Sequence, residues 1–328
     1  MPEQAILIIT IALALAYAYG NGINDAANAI ATVISTRVMT PLAAVIMGGS
    51  MNMLGALTGT AVAKTIGSGI VYSDLMSQAA VMAAITAAVT WVLIATRFGF
   101  PVSVSHSLVA GVLGAGVAHA GFEAVKTATV IKVLLALALS PLLGFGAAFI
   151  SMVIIYWIFR RWTPHQVSAF FGKLQILSAA FLAYSHGKND AQNAMGIMAL
   201  AVGVYYSRDV SVELWMQIIS ALMIGLGTAL GGWKVIRTLG MRVTRLQPVT
   251  GFTANAIAAT VIEAASHIGL PVSTTHTTSS SIMGVGATQR LSAVRWGVTR
   301  GILWAWLVTY PFCAVLGWIL SKLLGAIL

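Results

Sequence analysis

The chain has 328 residues, 59% hydrophobic and only 8% charged, with a formal net charge of +10. A soluble domain carries about a quarter charged residues, so this composition excludes one. The positive charge sits at the ends of apolar segments, as in Arg160-Arg161, Arg242/Arg245 and Arg290/Arg295/Arg300. That is how cytoplasmic membrane anchors are placed, and it is no nucleic-acid signature.

Apolar runs of roughly 20 residues recur along the chain, predicting an all-α polytopic membrane protein. The first run, residues 6–18, lacks a basic leading segment and reads as part of a retained helix reaching about Ser35. It leads into Gly22-Ile23-Asn24-Asp25-Ala26-Ala27-Asn28, where a carboxylate and two carboxamides interrupt apolar sequence. Residues 41–66 follow, with Gly48, Gly49, Gly55 and Gly59 allowing close helix approach. After an apolar helix over 77–96 comes Pro101-Val102-Ser103-Val104-Ser105-His106-Ser107, leading into another over 108–118. A run over 129–159 is expected to be interrupted at Ser140-Pro141, and the polar stretch from Arg160 to Gln166 reads as a loop.

The second half repeats these marks. Asn24-Asp25 recurs as Asn189-Asp190, Pro101-Val102-Ser103 as Pro271-Val272-Ser273, and Pro141 as Pro311. This predicts a first membrane repeat over 1–160, a connecting loop over 161–173 and a second repeat over 174–328. Each repeat holds five or six segments, some broken or re-entrant. Duplication of this kind is a mark of secondary transporters.

An ionisable group at membrane depth is costly and so points to function. Two matched blocks read as one site assembled from two halves, with Asn24, Asp25 and Asn28 answered by Asn189, Asp190 and Asn193. Their hard oxygen ligands suit hard cations more than zinc. In the hydroxyl blocks, proline breaks the chain and serine or threonine caps the helix that restarts. Free N–H groups and the helix dipole there attract an anion. Ser103, Val104, Ser105, Ser273, Thr274 and Thr275, with Gln192, are the candidate anion shell. His106 and His276 match across the repeat and read first as helix–helix hydrogen-bonding groups. Glu263 has no acidic counterpart in the first half and reads either as a partner for a basic residue or as the mark of a cytoplasmic helix end. Cys313 is a packed apolar residue.

Blocks 22–29 and 187–194 resemble the duplicated Gly-Ala-Asn-Asp signature of the inorganic phosphate transporter (PiT) family. The Pro-Val-Ser-x-[Ser/Thr]-His blocks at 101–106 and 271–276, and residues 227–234, resemble the same family. The resemblance covers essentially the whole chain. It implies inverted repeats, a homodimer in the plasma or inner membrane, no enzymatic activity and no cofactor. It further implies symport of phosphate with Na⁺ or H⁺, with the cation (Na⁺) at Asp25 and Asp190 with their Asn neighbours and phosphate between the hydroxyl blocks. Lys188 stands where the family more often has a small residue, and Val104 interrupts the hydroxyl run. Lys188 could turn its ammonium inward to the site or outward to the interface. A sulfate permease of the same fold is the alternative. A membrane phosphohydrolase is a distant one, for which no compact nucleophile or metal motif is present.

Overall fold

In hydrocarbon each backbone N–H and C=O must bond within its own segment, so the apolar runs become helices. The computed structural model describes residues 2–328. The first half holds α1 (Glu3–Ser35), α2 (Pro41–Ala56), α3 (Ala61–Lys64) with a π-helical turn (Thr65–Gly69), α4 (Gln78–Phe98), α5 (Val104–Ala120) and α6 (Thr127–Ile158). The second half answers with α7 (Pro164–Tyr206), α8 (Leu214–Leu230), α9 (Trp233–Arg237) with its own π-helical turn (Thr238–Arg242), α10 (Pro248–His267), α11 (Thr274–Ala287) and α12 (Trp296–Ile327). The bent pairs in the two halves turn by 63° and 59°.

Side-chain contacts give the helix directions. Just past α1, Thr36 Oγ1 donates to Gln175 Oε1 near the start of α7, at 2.9 Å. Further back along α1, Asp25 meets Asp190, further along α7, through the hydroxyl of Thr274. These equivalent helices therefore run antiparallel. The bent segment from α2 through Gly69 runs parallel to α7: Asn52 meets His186, Ala63 N–H meets Gln192, and Gly67 abuts Gly196.

α4 starts where Gln78 Nε2 donates to Ala201 O at 2.6 Å, and it ends level with Asn24, whose amide donates to Thr96. α5 turns back, and just past its end Tyr72 N–H donates to Ala124 O. The pair is a re-entrant hairpin. α10 and α11 form a second hairpin, entering from the opposite face: Gly251 packs on Gln175, and Ser266 further along accepts from Asn189. Each outgoing arm, α4 or α10, ends at a glycine with left-handed backbone, Gly99 (φ 74) or Gly269 (φ 71). Each returning arm starts at a serine cap, Ser103 or Ser273, whose hydroxyl accepts the N–H of His106 or His276. Asp25 lies ten residues before the end of α1, about 15 Å at 1.5 Å per residue, or half the thickness of the hydrocarbon layer. The tips therefore meet at membrane depth. α6 and α12 are largely exposed and present Leu135, Leu139, Leu142, Trp304 and Leu307 on the surface.

Two expectations change. Pro141 does not interrupt its segment, because α6 runs continuously through it. Neighbouring helices and side chains re-satisfy the freed carbonyl in a membrane bundle. The connector expected over 161–173 ends at Thr163, where a capping box with Gln166 and Pro164 at the first helical position start α7.

Close packing tests this arrangement. A Cβ on Gly187 would lie 2.0 Å from Asn52 O, whereas one on Gly146 meets nothing within 4 Å. Gly187→Ala is expected to cost about 1–3 kcal/mol and lower the melting temperature in detergent. Gly146→Ala should leave it unchanged or raised. Equal melting of both variants would contradict the α2–α7 contact.

Candidate functional site

Asp25 and Asp190 form one buried centre, each with only 1% of its surface exposed. The Thr274 hydroxyl lies 3.2 Å from Asp25 Oδ2 and 3.1 Å from Asp190 Oδ2. Thr275 Oγ1 donates to Asp25 Oδ1 at 2.9 Å. His186 sits between the acids, its Nε2 3.6 Å from Asp25 Oδ2 and 3.3 Å from Asp190 Oδ2. One ligand atom from each of these three residues lies within 4.8 Å of the others. On its other side, His186 Nδ1 lies 2.8 Å from Asn52 Oδ1, and Asn52 Nδ2 donates to Thr228 Oγ1 at 2.7 Å. His186 Nε2 thus points between the two carboxylates without a hydrogen bond among the described residues, while Nδ1 is held by Asn52. Two carboxylates this close, shielded from water, need a positive charge beside them.

The four asparagines repeat one geometry in both halves. Asn24 Nδ2 donates to Thr96 and Asn189 Nδ2 to Ser266, at 2.9 and 2.8 Å. Asn28 Nδ2 donates across the halves to Thr275, and Asn193 Nδ2 donates back to Ser105, both at 2.9 Å. Every amide nitrogen is used. The Oδ1 atoms of Asn24, Asn28, Asn189 and Asn193, and Asp190 Oδ1, are buried with no hydrogen-bond partner among the described residues. Buried acceptors are normally satisfied, so five orphaned oxygens around two carboxylates fit a hard cation with oxygen ligands.

The cation and anion blocks read separately from sequence are therefore one assembly. Ser105, Thr274 and Thr275 join it through their hydroxyls. Ser103 and Ser273 use theirs as helix caps. Val104 brings no hydroxyl: its side chain is core, and its carbonyl accepts from Tyr17 at 2.8 Å. Gln192 reaches the start of α3. Its Oε1 accepts from Ala63 N–H and its Nε2 donates to Lys188 O. Lys188 turns neither to Asp190 nor freely outward; it forms an ion pair with Glu263 on α10. His106 and His276 meet ring to ring at 4.6 Å, and His276 stacks on Trp306 at 3.7 Å. His186, Asn52 and Thr228 were not among the candidates. His186 stands where the first copy has Asn21, and a titratable group at that register was the available signal.

A profile of the phosphate transporter family matches residues 21–317. The chain belongs to this family. It is 42% identical over 326 residues to a protein of Bacillus subtilis named "Probable low-affinity inorganic phosphate transporter", covering 98% of this chain and 97% of that one. A protein of the same name from Rhizobium meliloti is 40% identical, with 95% and 94% covered. A solved structure named "The sodium-dependent phosphate transporter" superposes with a TM-score of 0.91 at 28% identity, covering 99% of this chain and all of that one. The relatives are transporters and not enzymes, which removes the phosphohydrolase reading. The chain is a multi-pass membrane protein, in a bacterial cell one of the plasma membrane.

The role of His186 is open to measurement. If His186 carries the compensating charge, His186→Gln leaves two buried carboxylates facing each other without it. Saturating Na⁺ should then raise the variant's melting temperature by clearly more than it raises that of the unaltered protein. An equal rise would mean that His186 carries no compensating charge.

Proposed function

We propose that the chain moves inorganic phosphate across the membrane together with a cation, by alternating exposure of the Asp25–Asp190 centre to the two faces. The observation that carries this reading is the set of orphaned oxygens directly beside the first turns of α5 and α11. The cation takes oxygens from Asn24, Asp25, Asn28, Asn189, Asp190 and Asn193. Phosphate takes the N–H groups that helices leave free at residues 104, 105, 274 and 275, and the hydroxyls of Ser105, Thr274 and Thr275. A cation about 5 Å from the anion gains on the order of 3 kcal/mol at an effective dielectric of about 20, so each ligand raises the affinity for the other.

Na⁺ is the coupling ion favoured by the hard oxygen set and by the sodium dependence for which the structural neighbour is named. A proton is the second reading, favoured by His186 between the two acids. The antiparallel α1 and α7, and hairpins entering from opposite faces, support inverted repeats. Moving one tip at a time would open the centre to one face at a time. The face holding Arg37, Arg160, Arg161, Arg242, Arg245, Arg290 and Arg295 carries most of the arginines. That asymmetry supports a cytoplasmic assignment for it.

Labelled phosphate uptake into proteoliposomes under an imposed Na⁺ or proton gradient tests the reading. Asp25→Asn and Asp190→Asn should each abolish gradient-driven uptake while remaining folded. Thr275→Ala and Ser105→Ala should each weaken phosphate binding roughly tenfold to a hundredfold, the worth of a hydrogen bond to a charged group. Near-normal uptake in either aspartate variant would contradict the proposal. Stronger competition by sulfate than by phosphate would replace the substrate.

A further inference from the structure

A cavity of about 540 Å³ lies against the tip of the first hairpin, between α9 with its π-helical turn and the start of α12. Lys234, Arg237 and Arg242 line it, and Gly99, Phe100 and Pro101 form its floor. None of the eight acidic residues lines it, and none of the three cations is in an ion pair among the described residues. The floor is also the wall of the central site. Phe100 O faces Asn24 Nδ2 at 3.4 Å, and Gly99 O faces Thr238 Oγ1 at 3.3 Å. Lys234 Nζ donates to Arg97 O at 3.0 Å, so one of the three cations already touches the hairpin. The other half keeps only one of these three charges: Ala61, Lys64 and Gly69 stand where Lys234, Arg237 and Arg242 stand in the second half.

We propose that this vestibule is a second anion site. It holds a hydrated phosphate group on the basic face, separated from the central site only by the tip of the first hairpin. A low-dielectric cleft lined by one sign of charge concentrates the opposite ion. Three unpaired cations over this wall place an oxyanion where movement of the tip would join vestibule and centre. The cations are exposed, so the site is weak and screened by salt, unlike the buried centre. The asymmetry makes the device one-sided: it loads or receives the anion on the basic face alone. The proposal rests on phosphate transport and on the cytoplasmic assignment of the basic face.

The test compares phosphate uptake by inside-out and right-side-out membrane vesicles. The double variant Lys234→Gln/Arg237→Gln should raise the half-saturating phosphate concentration about tenfold in inside-out vesicles only. The unaltered protein should lose the same advantage at high ionic strength. An equal shift in both orientations, a shift in right-side-out vesicles alone, or no shift would overturn the vestibule. Failure of the unaltered protein to carry phosphate would instead overturn the transport reading. A lipid headgroup offers the same phosphate chemistry, and reconstitution separates the sources. A free-phosphate site keeps its effect in phosphatidylcholine alone, whereas a headgroup site shows it only with phosphatidylglycerol added.

Discussion

Two carboxylates held to one threonine hydroxyl, away from water, are the constraint on which the rest of the structure depends. Asp25 and Asp190 would repel each other in an apolar interior, and each would lose its hydration. The fold answers with a histidine between them, two threonine donors, and four asparagines whose nitrogens are tied off while their oxygens are left open. Such a centre is stable only with positive charge present. A site that needs a cation to be stable is also one that can bind an anion when the cation arrives.

The two helices that carry the Asn-Asp blocks, α1 and α7, cross antiparallel, so their aspartates can meet at a single point. The hairpins then deliver one helix N-terminus each from opposite faces. The exchanged hydrogen bonds, Asn28 to Thr275 and Asn193 to Ser105, lock each hairpin to the other half's helix. Movement of either tip would therefore break contacts at the centre.

Much of this is legible in the sequence. The helical class follows from composition, and the returning arms of the hairpins follow from Ser103 and Ser273 after Pro101 and Pro271. The Asn-Asp blocks stand out because polar groups are expensive in hydrocarbon. What stays hidden depends on distance between halves. No pattern says that Thr274 reaches both acids, since that contact joins residues 84 and 249 positions apart. Nor does any pattern say that Gln192 accepts the Ala63 N–H near the start of α3. Lys188 is claimed by Glu263, a partner that no periodicity brings beside it. His186 escapes notice because its counterpart Asn21 is not a repeated residue.

The most direct measurement of the central claim is equilibrium binding of phosphate and Na⁺ to the purified protein, each titrated with and without the other. If both ligands share the Asp25–Asp190 centre, each should tighten the other by the same factor, on the order of tenfold to a hundredfold. Asp25→Asn should reduce that factor towards one. Phosphate binding that ignores Na⁺, protons and the aspartate substitution alike would contradict the account.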